Sequence, residues 1–254
     1  MSYIYADTSD GIITKAASSL AGARHATSGS VITLSGGSNR GVWEAKSTSG
    51  RASLTRTFTR SYFWFDTSGV TDCTAVSLEL VGFSSTIDSG ESIVVMKSDA
   101  FGGDGTSALA STDFNNIVGW DGSSDMSGAT KYSAAPTLNL ASGWSTSSYN
   151  SIPLGSGAQN DINNNNYIII CCVSYKYDYL KADPTDTSGL STAALANNLG
   201  CYHSPSSGDS RRPRLNITHT ATPDWGKVNS TTYANIKLIN TTSKSNIEKI
   251  INVD

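Results

Sequence analysis

Apolar and polar residues alternate most regularly between Ser53 and Trp64. Even positions carry Leu54, Phe58, Tyr62 and Trp64, with Arg56 and Arg60 among them, while odd positions read Ser53, Thr55, Thr57, Thr59 and Ser61. A period of two, rich in Thr and aromatics, predicts a half-buried β-strand. Towards its end Phe63 and Phe65 make the other face apolar too. The strand is therefore either central and covered on both faces, or shifted by a bulge. Asp66-Thr67-Ser68-Gly69 stops it with turn-forming residues.

Shorter runs of the same kind predict strands at Tyr3–Tyr5, Val31–Leu34, Val42–Ala45, Ala75–Phe83, Ser92–Lys97, Pro136–Leu140, Tyr149–Leu154, Tyr167–Tyr175, Gly200–His203 and Arg214–Thr220. Ala16–Ala26 is rich in Ala and Ser and reads as one helical turn, with Gly22 working against anything longer. Ser191–Asn198 reads as a short helix. From Ser98 to Lys131 the alternation dissolves into Gly, Asp and Ser, and Phe101, Phe114 and Trp120 are the residues expected to pin that excursion down. About ten strands without strand–helix alternation predict an all-β fold, an antiparallel jelly-roll β-sandwich, over residues 1–222.

Composition changes at Ala221-Thr222-Pro223, and residues 223–254 read as a short repetitive β tail. Val228-Asn229, Ile239-Asn240 and Ile251-Asn252 recur at spacings of 11 and 12 residues. Three units of about a dozen residues cannot enclose a core. Their apolar positions Val228, Ile236, Leu238, Ile239, Ile247, Ile250 and Ile251 are expected to be buried in assembly, between copies of the chain (three favoured) or against another protein; a tail lying back on its own sandwich is the alternative.

Charged residues make up only 15% of the 254, the net charge is −3, and no long basic block occurs, which argues against nucleic acid as a partner. No apolar stretch approaches the length of a membrane-spanning helix. The N-terminus lacks a basic start followed by an apolar run, so the expectation is synthesis in the cytoplasm without a secretory signal. Cys73, Cys171, Cys172 and Cys201 contain no C-x-x-C spacing and read as reduced, mostly buried thiols.

Catalytic signatures are missing. His25, His203 and His219 stand far apart, no G-x-S-x-G, P-loop or H-E-x-x-H is present, and the glutamates are only Glu44, Glu79, Glu91 and Glu248. No catalytic residue and no cofactor is assigned. Asp121-Gly122-Ser123-Ser124-Asp125 and Gly103-Asp104-Gly105 offer oxygens that calcium could use, although turn chemistry accounts for both, and metal binding stays open. Trp120, Trp144 and Tyr149 lie in polar surroundings where an exposed ring would stack on a sugar; the alternative is a plug beneath a loop. Arg211-Arg212-x-Arg214 is a small basic cluster suited to a carboxylate.

The stretch R-T-F-T-R-S-Y-F-W-F-D-T-S-G-V, followed by T-A-V-S-L-E-L, resembles the R-x-φ-φ-x-F-D-T-S-x-φ and A-x-L-x-L pattern of DNRLRE-type and carbohydrate-binding-module-like β-sandwich domains of phage structural and bacterial surface proteins. Ser210-Arg211-Arg212-Pro213-Arg214-Leu215-Asn216-Ile217-Thr218 is similar to the R-P-x-L-x-φ-T ending of that family. The tail resembles the short I-x-K-V-N-G modules that end many phage structural proteins, with Ser230, Thr241 and Val253 where those modules have glycine. The resemblance implies a non-enzymatic protein of the virion surface, made in the host cytoplasm. Its implied partners are other virion proteins, with a host-surface glycan as a further candidate. A carbohydrate-binding module of a cell-surface protein is the alternative.

Overall fold

The computed structural model describes residues 2–33, 40–49, 54–87, 90–137, 143–184, 195–203 and 210–219. Eleven strands run through them: β1 (Ser2–Tyr5), β2 (Gly11–Ala17), β3 (Ser30–Thr33), β4 (Arg40–Ser49), β5 (Leu54–Asp66), β6 (Cys73–Thr86), β7 (Ile93–Lys97), β8 (Tyr149–Leu154), β9 (Tyr167–Ser174), β10 (Leu195–Cys201) and β11 (Arg214–His219). The helices α1 (Leu20–Arg24) and α2 (Ser156–Asn165) are short. All the strand ladders are antiparallel, and the fold is the all-β sandwich that the alternation predicts.

One layer runs β8-β6-β11-β1 and the other β7-β9-β5-β2-β3. Consecutive strands from β5 to β9 alternate between the two, as in a jelly roll. The join depends on the unusual length of β5 and β6. The first half of β5 pairs with β4 (Trp43↔Arg60 to Ser49↔Leu54), and its second half pairs with β9 (Ser61↔Cys172 to Asp66↔Tyr167). On β6, residues 73–79 pair with β11, while residues 82–86 pair with β10, which in turn pairs with β4. The layers are thus two halves of one sheet folded over.

Parity along β5 decides what lies on each side. Phe63 and Phe65 enter the space between the layers with Val76, Leu78 and Leu80 of β6, Ile168 and Ile170 of β9, and Leu215 and Ile217 of β11. Phe58 and Tyr62 point the other way, into a second apolar cluster with Val94, Met96, Ile169, Cys171, Phe101, Phe114 and Tyr177. The strand is therefore central and covered on both faces. Burying each of these large side chains contributes about 1.5–3 kcal/mol, against about 0–1 kcal/mol for an exposed ion pair, so the two clusters dominate stability. A slip of one residue would exchange them.

The second cluster is roofed by the Gly- and Ser-rich excursion after β7, with Phe101 and Phe114 fully buried and Trp120 packed at its margin. That roof is fixed by charge. Arg60, on the Phe58 side of β5, is fully buried and grips Asp178 through two hydrogen bonds, Nε to Oδ2 at 2.7 Å and Nη2 to Oδ1 at 2.8 Å. The same guanidinium donates to the carbonyls of Phe114 (2.5 Å) and Arg24 (2.9 Å). Arg24, also fully buried, donates to the Asp178 and Ser124 carbonyls, both at 2.8 Å. Burial works against the charge on Arg60, but Asp178 outweighs it and the net shift is upward. Burial pulls Arg24, which shares the same carboxylate, down to about 10.

Local expectations fail where tertiary pairing takes over. Strand β2 occupies Gly11–Ala17, and the helix predicted from Ala16 is confined to Leu20–Arg24, where Ser19 Oγ accepts from Gly22 N at 3.0 Å. The helix predicted at Ser191–Asn198 gives way to β10 from Leu195 onward, because that segment fills the gap between β4 and β6 and bonds to both. Residues 191–194 lie outside the described residues. Pro136 and Thr137 are not strand, and the rest of the strand predicted there lies at 138–142, outside the described residues. The sequence pattern does not predict α2, whose Ser-Gly-Ala-Gln-Asn-Asp-Ile-Asn-Asn-Asn run is poor in helix formers; burial of Ala158 and Ile162, four apart on one face, supports it instead. All four cysteines are reduced and buried.

The chain divides into two units, Met1–Thr220 and Ala221–Asp254. The second lies outside the described residues, and with it Val228, Ile236, Leu238, Ile239, Ile247, Ile250 and Ile251.

Removing Asp178 leaves two buried guanidiniums without their carboxylate. Asp178→Ala is expected to lower the unfolding free energy by about 3–5 kcal/mol in chemical denaturation, and an Asp178→Ala domain as stable as the parent would show that the pair does not hold the roof. Arg24 Nη1 also lies 2.6 Å from His25 Nε2, which can accept only while the ring is neutral. Burial, then the charges of Arg24, Lys181 and Arg60, lower the His25 pKa below 6.5 despite Asp178. The unfolded chain therefore takes up this proton first as pH falls, so the His25 contribution is complete above pH 6.5 and declines from there down to the folded-state pKa. The stability difference between parent and His25→Gln is expected to shrink as pH falls through about 6.5; a constant difference would exclude the linkage.

Candidate functional site

The exposed side of the β8-β6-β11-β1 layer gathers the chain's most concentrated surface chemistry. Register puts Tyr3 opposite Asn216 and Tyr5 opposite Arg214; Arg214 faces Glu79, and Val81 faces Tyr149. Since Ile4, Leu78, Leu215 and Ile152 point inward, the residues next to them point out. Four neighbouring strands thereby bring Tyr3, Tyr5, Glu79, Tyr149, Arg214 and Asn216 onto one face.

Arg214 is at its centre. Its guanidinium carbon lies 3.8 Å from the ring centroids of both Tyr3 and Tyr149, so the cation is stacked against two phenols. Its Nε donates to Glu79 Oε2 at 2.7 Å, and Asn216 Nδ2 donates to Glu79 Oε1 at 2.9 Å. Burial opposes the charge on Arg214, but hydrogen bonds with Glu79 and Tyr5 raise its pKa overall. Tyr149 has its pKa raised by burial first, and its hydroxyl donates to the Arg212 carbonyl at 3.0 Å. Tyr3 remains 47% exposed, so one ring of the stack is open to a partner. Nearby, Arg211 lies 4.7 Å over Tyr202, which meets the exposed Phe83 edge-on at 5.8 Å, and Arg212 lies 5.3 Å over Tyr5. Each arginine of the R-R-x-R cluster thus rests on a tyrosine, and the carboxylate Arg214 meets belongs to its own domain.

Trp120, Trp144 and Tyr149, the rings picked out by their polar sequence surroundings, do not form one site. Tyr149 belongs to the arginine stack. Trp144 is buried, its indole N–H donating to the Gly200 carbonyl at 2.8 Å, and it lies so close over Gly82 that a Cβ there would overlap the indole. Trp120 is half-buried, 5.0 Å from the Arg24 guanidinium and 4.9 Å from that of Arg60, with its N–H donating to the Ser124 carbonyl. It closes the buried charge cluster. Tyr3, Glu79 and Arg214 were not legible as partners, because residues 3, 79 and 214 meet only through strand order; the alternation of Tyr3 with Tyr5 was the one available hint.

The aspartates considered for calcium make turns. Asp121 Oδ1 accepts from Ser123 N, Ser124 N and Ser124 Oγ at 2.8–3.0 Å, and Asp104 Oδ1 accepts from Thr106 N at 2.9 Å. Among the described residues no group of three or more His, Cys, Asp and Glu is placed to hold a metal. His203 is buried 3.7 Å from Asp10 and stacked on Phe63, and the thiols of Cys171, Cys172 and Cys201 are pushed up by burial, to about 12 for Cys171. Among the described residues no helix is long and apolar enough to cross a membrane.

If Tyr3 and Arg214 attract one another as their geometry implies, a double-mutant cycle of Tyr3→Ala and Arg214→Ala in chemical denaturation should give a coupling of about 0.5–1 kcal/mol. A coupling indistinguishable from zero would mean that the stack is incidental.

No protein-family model matches the chain, and a search of curated proteins finds no match.

Proposed function

We propose that the protein is a non-enzymatic structural protein of a virion surface. In this reading the β-sandwich is displayed outward, and the repeated tail joins it to copies of itself and to other virion proteins. The observation that carries it is the Tyr3–Arg214–Tyr149 stack. Rings and a guanidinium are held on paired strands, with the charge already matched by Glu79, so the face can contact a partner without rearranging. Tyr and Arg are the residues that dominate binding energy at protein interfaces. The resemblance of the R-x-φ-φ-x-F-D-T-S stretch and of the K-V-N echoes to phage structural proteins supports the same reading.

The second reading, a carbohydrate-binding module, is favoured by the open ring of Tyr3, which could stack on a sugar. A saturable glycan-array signal lost on Tyr3→Ala would select it.

Light scattering on the intact chain and on a chain ending at Thr222 tests the assembly role. The expected result is a trimer that becomes a monomer on truncation, with the intact protein co-sedimenting with particles. Two monomers of equal behaviour, neither retained by particles, would overturn it.

A further inference from the structure

On the opposite layer, away from the tyrosine–arginine face, a cleft of about 80 Å³ opens where the end of β7, the start of β9 and α2 meet. Lys97 is the last residue of β7, Tyr167 the first of β9, and Asp161 and Asn165 stand four apart on α2, hence on one side of it. Asp99 and Tyr132 join them in the wall, with Ser98, Gly103 and Ile169.

The cleft is organised around Asp161. Its Oδ1 accepts from Lys97 Nζ at 3.0 Å and from Asn165 Nδ2 at 3.1 Å, while its Oδ2 accepts from Tyr132 Oη at 2.5 Å and lies 2.9 Å from Lys97 Nζ. Burial, then the hydrogen bond and charge of Asp161, then Asp99, keep the Tyr132 phenol protonated far above its ordinary range. With its hydrogen committed to the bond with Asp161, that hydroxyl offers the cleft its oxygen as an acceptor. The Lys97 and Asp161 side chains are still 30% and 17% exposed, so the pair faces the opening.

The charge pattern selects the ligand. An anion would meet two carboxylates, and a cation would meet the Lys97 ammonium. Donors (Lys97, Asn165) and acceptors (Asp99, Asp161, Tyr132 Oη) line the same small cleft, which suits groups that both give and take a hydrogen bond. Hydroxyls on adjacent ring carbons do this, and Tyr167 supplies an aromatic surface for the C–H side of such a ring. The volume admits a few water-sized groups, the edge of one ring and not a length of polymer. We propose that this cleft binds a neutral, hydroxyl-rich ring: a single sugar, either free or at the end of a glycan. The site is independent of the stacked face and of the assembly role.

The test is a titration of the isotope-labelled intact protein with glucose, galactose, mannose and N-acetylglucosamine, and with their methyl glycosides, followed by amide chemical shifts up to about 10 mM, ten times a Kd of about 1 mM. At least one sugar is expected to give saturable shifts confined to residues 97–103, 132 and 161–169. Asp99→Ala and Tyr167→Ala should each weaken it about tenfold or more, a loss of about 1.4 kcal/mol per decade, with the remaining spectrum unmoved. Methyl glycosides that bind as well as free sugars identify a glycan end, and binding of free sugars alone identifies a small solute. No saturable shift with any probe, shifts unaffected by both substitutions, or shifts centred on Tyr3 and Arg214 would overturn the proposal, the last also favouring the module reading of the stacked face.

Discussion

A buried carboxylate shared by two buried arginines is the constraint on which the arrangement of this domain depends. Asp178 follows the most apolar strand, β9, yet it faces two guanidiniums at the same depth as Phe58 and Phe114. A charge at that depth is costly unless each of its hydrogen-bonding positions finds a partner. Arg60 meets the condition by collecting carbonyls from Phe114 and Arg24, and Arg24 does so by reaching Ser124 and the Asp178 backbone. Those partners come from three separate stretches of chain: α1, the excursion after β7 and the residues after β9. Phe101, Phe114, Ile117 and Met126 anchor the Gly-, Ser- and Asp-rich run in the apolar cluster, and its carbonyls fix it further because they are acceptors that Arg24 and Arg60 require.

The same logic separates what the sequence announces from what it conceals. The double-sided character of β5 is legible because a side-chain period of two is a local property, and Phe63 and Phe65 break it in a way with only two geometric explanations. β10 is legible only at its end, where the strand predicted from Gly200 overlaps Gly200-Cys201: the preceding Leu-Ala-Asn-Asn-Leu is a weak strand former, and it is drawn into the sheet by the vacant hydrogen-bonding edges of β4 and β6. α2 is hidden for the complementary reason, since its asparagines oppose helix and only the burial of Ala158 and Ile162 favours it. In both, a contact made far along the chain outweighs local preference.

Site residues follow the rule more strictly. Aromatic residues in polar company attract attention, yet Trp144 and Trp120 are enclosed because each has a donor N–H that finds a carbonyl and a partner it fits against, Gly82 in one case and two arginines in the other. The stacked face draws on residues 3, 79, 149 and 214, and the cleft on residues 97, 99, 132, 161, 165 and 167. The basic triplet around Arg214 was visible in the sequence, but its partners were not, since nothing local relates Arg214 to Glu79 or Tyr3. The four cysteines were easier to read, because no C-x-x-C spacing occurs and the adjacent Cys171 and Cys172 face opposite sides of an apolar strand, which already points to reduced, buried thiols.

The pairing of β1 with β11 bears on how the chain reaches this state. Ser2 sits opposite Ile217, and β11 is the only strand that separates β1 from β6. During synthesis β1 emerges before its partner β11, and it waits while more than two hundred residues follow. Until β11 arrives, the edge of β6 presents unpaired backbone flanked by Val76 and Leu78, a template for the wrong partner. One layer of the sandwich therefore closes only after residue 219 has left the ribosome, whatever the rest of the domain has already done. A premature stop anywhere before β11 would release a chain with an open, sticky sheet instead of a shortened but finished domain.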